Sequence, residues 1–97
     1  SAGYDAHRAD PLTDLGLSAG DFADIARRVA AFAPGPGRLV LFLEGGYDLD
    51  ALTTSIGASL AALLDSPYRP EAATSGGPGA QVVDAACRQR RNSPEES

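Results

Sequence analysis

The chain has 97 residues, 43% hydrophobic and 22% charged, which excludes wholesale disorder and leaves room for one small domain or a piece of a larger one. Thirteen acids against eight bases, all of them Arg, give a net charge of -5, which argues against direct nucleic-acid binding. No apolar run approaches the ~20 residues of a membrane-spanning helix, no signal-peptide pattern opens the sequence, and a single Cys excludes a disulfide framework and any CxxC metal site.

The lone Cys points to a reducing compartment, and the expected location is cytoplasmic. Residues 1–17 read as irregular, because Gly3, Pro11 and Gly16 break any period. The opening Ser1-Ala2-Gly3-Tyr4-Asp5-Ala6-His7 reads as the continuation of a chain already under way. A helix follows: Ser18 is a plausible N-cap, and Asp21 three residues on completes a capping-box-like pair. Phe22, Ile25, Ala26, Val29 and Phe32 recur at helical spacing, Arg27 and Arg28 suit the C-terminal end, and Pro34-Gly35-Pro36-Gly37 stops the helix.

The run Leu39-Val40-Leu41-Phe42-Leu43 predicts a strand buried on both faces. Glu44-Gly45-Gly46-Tyr47 forms a tight loop, and a second helix starts behind Asp48 as N-cap. Its apolar stripe is Leu49, Leu52, Ile56, Leu60, Leu63 and Leu64, and Ser66-Pro67 ends it. Residues 66–80 read as a flexible connector rich in Pro, Gly, Ser and Ala. The pattern over residues 80–91 suits a short helix, and residues 92–97 are expected to fray.

This order is an α/β pattern of the parallel-sheet type. It supplies one convincing strand, however, and a strand buried on both faces needs neighbours. The expected architecture is therefore the C-terminal part of a larger α/β domain, incomplete in this chain. Residues 1–67 belong to it, and residues 68–97 form a Pro/Gly/Ser-rich tail.

Chemistry in such sheets gathers at the carboxyl ends of strands, and two loops qualify. In Gly45-Gly46-Tyr47 the glycines permit close approach of backbone to a ligand, and the phenol can donate to a developing oxyanion. A plain strand-to-helix turn with a packed Tyr fits the same spacing. Asp5, His7 and Asp10 carry metal-ligand chemistry, or they shape a turn through Asx hydrogen bonds and a paired His. Spacing leaves both alternatives open. Phosphate-binding loops and a Ser nucleophile frame are absent, and Cys87 reads as a bystander thiol beside Arg residues.

Taken together, Ser1-Ala-Gly-Tyr-Asp-Ala-His-Arg-Ala-Asp-Pro-Leu12 and Leu43-Glu-Gly-Gly-Tyr-Asp-Leu49 resemble two hallmark blocks of the histone deacetylase superfamily. The likeness is to class II enzymes and their bacterial relatives, including acetylpolyamine amidohydrolases, and it covers roughly residues 1–67. It implies an arginase/deacetylase-like fold, a parallel sheet flanked by helices, and zinc-dependent hydrolysis of an acetyl or acyl amide on lysine or a polyamine. It implies Asp5 as a zinc ligand, Leu12 as a wall of the acyl-lysine tunnel, and Tyr47, behind Gly45 and Gly46, as the donor to the substrate carbonyl. His7 and Asp10 then shape the loop and leave the metal alone.

The family's His-His pair and upstream D-x-H ligand motif are missing, since His7 is the one His. The chain alone is therefore expected to be inactive, because a catalytic zinc normally takes three protein ligands. It is also expected to expose apolar surface. The alternative is a non-catalytic truncated remnant that binds a protein partner through that surface.

Overall fold

The computed structural model describes residues 1–77 and 79–92. Helix α1 spans Ala19–Ala30, α2 spans Leu49–Leu63 and α3 spans Ala80–Arg91. The fraying expected at the C-terminus lies, from residue 93 on, outside the described residues.

The start of α1 is fixed by a reciprocal cap. The Ser18 hydroxyl accepts from the Asp21 N–H while the Asp21 carboxylate accepts from the Ser18 N–H at 2.8 Å. Such a cap contributes about 1 kcal/mol. The helix ends at Ala30, so Phe32 falls in the turn beyond it and is 89% exposed. Helix α2 begins behind Asp48, whose carboxylate accepts the Ala51 N–H at 2.9 Å. It closes in a Schellman arrangement. Asp65 takes a left-handed φ of 55°, and the Ser66 N–H reaches the Ala61 carbonyl at 2.8 Å. Pro67 then prevents continuation.

The expected strand and parallel sheet are not formed among the described residues. One isolated parallel bridge, Ala2 to Leu43, stands in their place. Segment 39–43 finds a single backbone partner, the stretch leading into Tyr4, and a ladder needs neighbours to propagate. Its side chains remain open to solvent, with Val40 67% and Phe42 65% exposed.

Helices α1 and α2 pack on each other through Ala19, Ala23, Ala58 and Ala62, the small cluster at the centre of the core. Ala51, Ser55, Ser59 and Ala61 complete the buried face of α2. The leucine stripe expected to carry the burial therefore lies largely elsewhere: Leu49, Leu60 and Leu64 are exposed. Small residues let two helices approach closely, whereas branched side chains on the same face would hold them apart. In α1, Phe22 is buried against Tyr4, with ring centroids 4.9 Å apart in an edge-on arrangement, while Ile25 and Val29 are exposed. An open apolar cleft of about 350 Å3 runs between residues 1–4, α1, Leu39–Leu41 and the α2 residues Ser59 and Leu63. The exposed apolar surface expected from the sequence is thus present.

Residues 69–74, within the expected flexible connector, lie as a strap across the first turn of α1. The Ser18 hydroxyl donates to the Ala72 carbonyl at 2.6 Å, and the Thr74 hydroxyl and N–H both donate to Asp21. Arg69 bonds the Gly20 carbonyl and Asp24. The Glu71 carboxylate accepts from the Ala19 N–H at 2.7 Å, from His7 at 2.8 Å and from Arg8 at 3.2 Å. Gly20 permits this contact, because a Cβ there would sit 2.5 Å from the Glu71 carbonyl oxygen and the Ala73 nitrogen. Helix α3 buries no residue among those described.

Two predictions follow from the strap. Gly20→Ala gains about 1 kcal/mol of helix propensity, yet it drives a methyl into backbone, and such overpacking costs about 1–3 kcal/mol. A lower Tm and loss of hydrogen-exchange protection at Thr74 are expected, and a raised Tm would contradict the packing. The second concerns acid. His7 first, then the Ala19 N–H, with Arg8 adding and burial opposing, hold Glu71 below its ordinary 4.5. For Asp21, burial pushes the carboxyl up, but the bonds from Ser18 and Thr74 hold it below its ordinary 3.8. Lowered carboxyl values stabilise the strap above the ordinary range and lose that contribution as pH falls through it. Protection of the Ala19 and Thr74 amides should therefore hold above the ordinary values of 4.5 and 3.8 and be lost only as pH falls below them and through the lowered values. Protection unchanged at a pH where both carboxyls are protonated would refute the ionic fastening.

Candidate active site

The site is built by two extended segments that run side by side in the same direction. The Ala2 N–H donates to the Phe42 carbonyl at 2.7 Å, the Glu44 N–H to the Ala2 carbonyl at 3.0 Å, and the Tyr4 N–H to the Gly45 carbonyl at 2.7 Å. Because the segments are parallel, the loops that leave them emerge at one end. Residues 5–12 and 44–47, distant in sequence, are brought together there.

Tyr4 anchors the first loop from below. It is buried, and its hydroxyl donates to Ser59 of α2 at 3.1 Å. The loop then turns twice, with the His7 N–H on the Tyr4 carbonyl and the Asp10 N–H on the His7 carbonyl. The Thr13 hydroxyl closes it by donating to the Asp5 carbonyl.

The Asp5 carboxylate lies against the Gly45 backbone. A Cβ on Gly45 would stand 3.1–3.3 Å from its carboxyl atoms, and one on Gly3 would stand 3.2 Å from Oδ1. Glycine is what lets the second loop pass this close to the acid. Gly46 has φ 137°, and a Cβ on it would meet Leu52 at 2.8 Å. The left-handed conformation is what favours glycine at this position, and a Cβ would in addition crowd the Tyr4 Cβ at 3.2 Å. No hydrogen bond engages the Asp5 carboxylate among the described residues, so its oxygens are free to serve as metal ligands.

His7 is buried and has both ring nitrogens engaged. The Ala9 N–H donates to Nδ1 at 3.0 Å, so the proton sits on Nε2, which donates to Glu71 at 2.8 Å. A ring used on both sides shapes the loop and offers no lone pair to a metal. Asp10 is buried as well. Its Oδ1 accepts the Leu12 N–H at 2.8 Å and its Oδ2 the Tyr47 N–H at 2.7 Å. Burial pushes the Asp10 carboxyl up, but the N–H groups of Tyr47, Leu12 and Asp48 hold it below its ordinary 3.8.

Tyr47 and Leu12 face one open depression together with Pro11. Tyr47 is 58% and Leu12 66% exposed, and the Tyr47 hydroxyl has no partner among the described residues. The five residues singled out from the sequence, Asp5, Leu12, Gly45, Gly46 and Tyr47, thus lie on two adjoining loops. The sequence reading missed Glu71 and Gly20. A glycine in the first turn of an otherwise strong helix was the available signal for the strap, since it costs helix stability without local benefit. Nothing local marks Glu71 as the acid that would find His7.

The donor set can be weighed against a metal ion. No group of three or more His, Cys, Asp or Glu side chains among the described residues could hold one. Asp5 fits as a single carboxylate ligand of a larger set, and it does not make a site alone.

Three comparisons bear on these loops. The model of the histone deacetylase domain matches residues 1–63. Histone deacetylase 10, chloroplastic, of Oryza sativa is 49% identical over 70 residues, covering 69% of this chain and 16% of the rice protein. A probable deacetylase of Archaeoglobus fulgidus is 48% identical over 52 residues, covering 52% of this chain and 14% of the archaeal protein. Among solved structures, the crystal structure of the HDA15 HD domain superposes with a TM-score of 0.65 at 28% identity, over 98% of this chain and 25% of that one. The chain therefore spans about a sixth of the length of the rice relative.

Proposed function

The chain belongs to the histone deacetylase family, and from that premise we propose that it forms part of a zinc-dependent amidohydrolase that removes acetyl or acyl groups from acetyl-lysine or acetylated polyamines. The observation that carries this reading is the meeting of an uncommitted carboxylate, Asp5, with the loop of an uncommitted phenol, Tyr47, at one end of a parallel pair of segments.

In this reading Asp5 supplies one of the ligands to zinc. Bound zinc polarises an acyl carbonyl and acidifies a water at neutral pH. Tyr47 donates its hydroxyl proton in a hydrogen bond to the carbonyl oxygen as that oxygen gains charge. Leu12 lines the path by which the acyl-bearing chain enters, and Gly45 and Gly46 let the backbone lie close beside it. The remaining ligands and the base that takes the proton from water come from outside the 97 residues. The chain alone is accordingly inactive.

The second reading is a remnant that binds a protein through its apolar face. The exposure of Val40, Leu41, Phe42 and Leu43 favours it. It leaves the open Asp5 carboxylate and the Tyr47 hydroxyl without a use.

The test is acetate release by the product of the whole reading frame that contains these residues, purified with zinc. An acetyl-lysine peptide and an acetylated polyamine serve as the two substrates. Turnover of at least one is expected, and the ratio between them assigns the substrate class. A zinc-loaded product that hydrolyses neither would overturn the proposal.

A further inference from the structure

We propose that Asp10 is a positioning residue that sets the Tyr47 hydroxyl against the substrate path, by clamping the Tyr47 and Leu12 backbones with the two oxygens of one carboxylate. The inference rests on the deacylase reading of Tyr47 and adds to it a residue that does not touch the substrate.

The geometry is specific. Oδ2 of Asp10 holds the Tyr47 N–H at 2.7 Å, and Oδ1 holds the Leu12 N–H at 2.8 Å. These are the short distances of bonds to an ionised acceptor, which are about twice as strong as neutral ones. Asp10 is itself fixed, since it is buried and its own N–H donates to the His7 carbonyl at 3.0 Å. His7 is in turn locked through both ring nitrogens. A rigid support therefore stands behind the clamp.

The clamped loop needs such a support. Tyr47 follows Gly45 and Gly46, the residue type with the widest backbone freedom, and Gly46 sits at φ 137°. The Tyr47 ring is more than half exposed, with no side-chain bond to orient it among the described residues. Its placement is consequently set through its backbone. Leu12 and Tyr47 border the same depression, so one carboxylate also fixes the gap between them. Asparagine at position 10 keeps the shape but has one acceptor oxygen, so at least one of the N–H groups held by the carboxylate loses its partner.

The experiment uses the zinc-loaded product of the whole reading frame, with tyrosines labelled at the backbone nitrogen. Asp10→Asn, Asp10→Ala, Tyr47→Phe and the Asp10→Asn/Tyr47→Phe double variant are compared. Asp10→Asn is expected to lower kcat about tenfold or more, because small misplacements of a reacting group are costly. Zinc content should stay unchanged, and the Tyr47 amide resonance should move. In the Tyr47→Phe background the same change should cost less than about twofold, since both substitutions remove one function. Additive losses, or an unmoved Tyr47 amide, would overturn the proposal. Should Asp10→Ala fail to fold, the isosteric Asn variant carries the test. An amide that moves in a protein with no turnover would leave the clamp standing and sink the deacylase reading instead.

Discussion

Replacing Tyr47 by Phe in the protein that carries the whole domain is expected to lower kcat by on the order of 100- to 1,000-fold. The substitution removes one oxygen and leaves the ring, so the depression that Tyr47 lines with Pro11 and Leu12 keeps its shape. That oxygen is the only part of the residue able to donate to a carbonyl that gains negative charge. It is also idle in the resting fold, with no partner among the described residues and a side chain more than half exposed. Its bond to substrate therefore replaces no bond within these loops. Zinc content should stay unchanged, because Tyr47 is not assigned to the metal. Turnover at the level of the unsubstituted protein would remove Tyr47 from the mechanism.

The second large effect is expected at Asp5. Asp5→Ala should weaken zinc binding by more than the roughly 10- to 100-fold that follows loss of a residue standing behind a ligand. The reason lies in the surroundings of the carboxylate. It rests against the Gly3 and Gly45 backbones, with no hydrogen bond to either among the described residues, so nothing else in the fold consumes its charge. The structural cost of removing it should be small for the same reason. Metal titration and Tm together separate the two roles: a large loss of affinity with a small change in Tm is expected. Unaltered zinc stoichiometry in the variant would contradict the assignment.

The starts of α1 and α2 and the end of α2 were legible because they are local, whereas α1 ends at Ala30, ahead of Phe32 and the Pro34–Gly37 stop. Ser18 with Asp21, Asp48 with Ala51, and Ser66-Pro67 are cap and stop signals written within a few residues. The two loops were legible as well, since glycine next to a functional side chain is informative wherever it occurs. Which face of each helix is buried was not. Leu49, Leu60 and Leu64 give the stronger periodic signal, whereas α1 and α2 meet through Ala19, Ala23, Ala58 and Ala62. A hydrophobic stripe reports that something covers it, and the identity of the cover lies outside the stripe. The strand over Leu39–Leu43 failed for a related reason: strand propensity is local, but a ladder is a property of two chains.

The strap was hidden for a third reason. Composition describes residues 66–80 as a connector, yet Glu71 lies 64 positions from His7 and becomes its hydrogen-bond partner. The result couples the support of the site to the strap. Glu71 holds His7, the His7 carbonyl accepts from Asp10, and Asp10 holds Tyr47. Acid or Gly20→Ala, both expected to loosen the strap, thus act on a chain of contacts that ends at the proposed oxyanion donor.

The assignment of Asp5 and Tyr47 to a zinc deacylase is tested most directly by reading the coding sequence immediately upstream of Ser1. The expected result is an open frame that encodes an adjacent His-His pair and a D-x-H motif, the base and the further ligands that Asp5 requires. A stop codon at the boundary, or a frame that lacks both motifs, would contradict it.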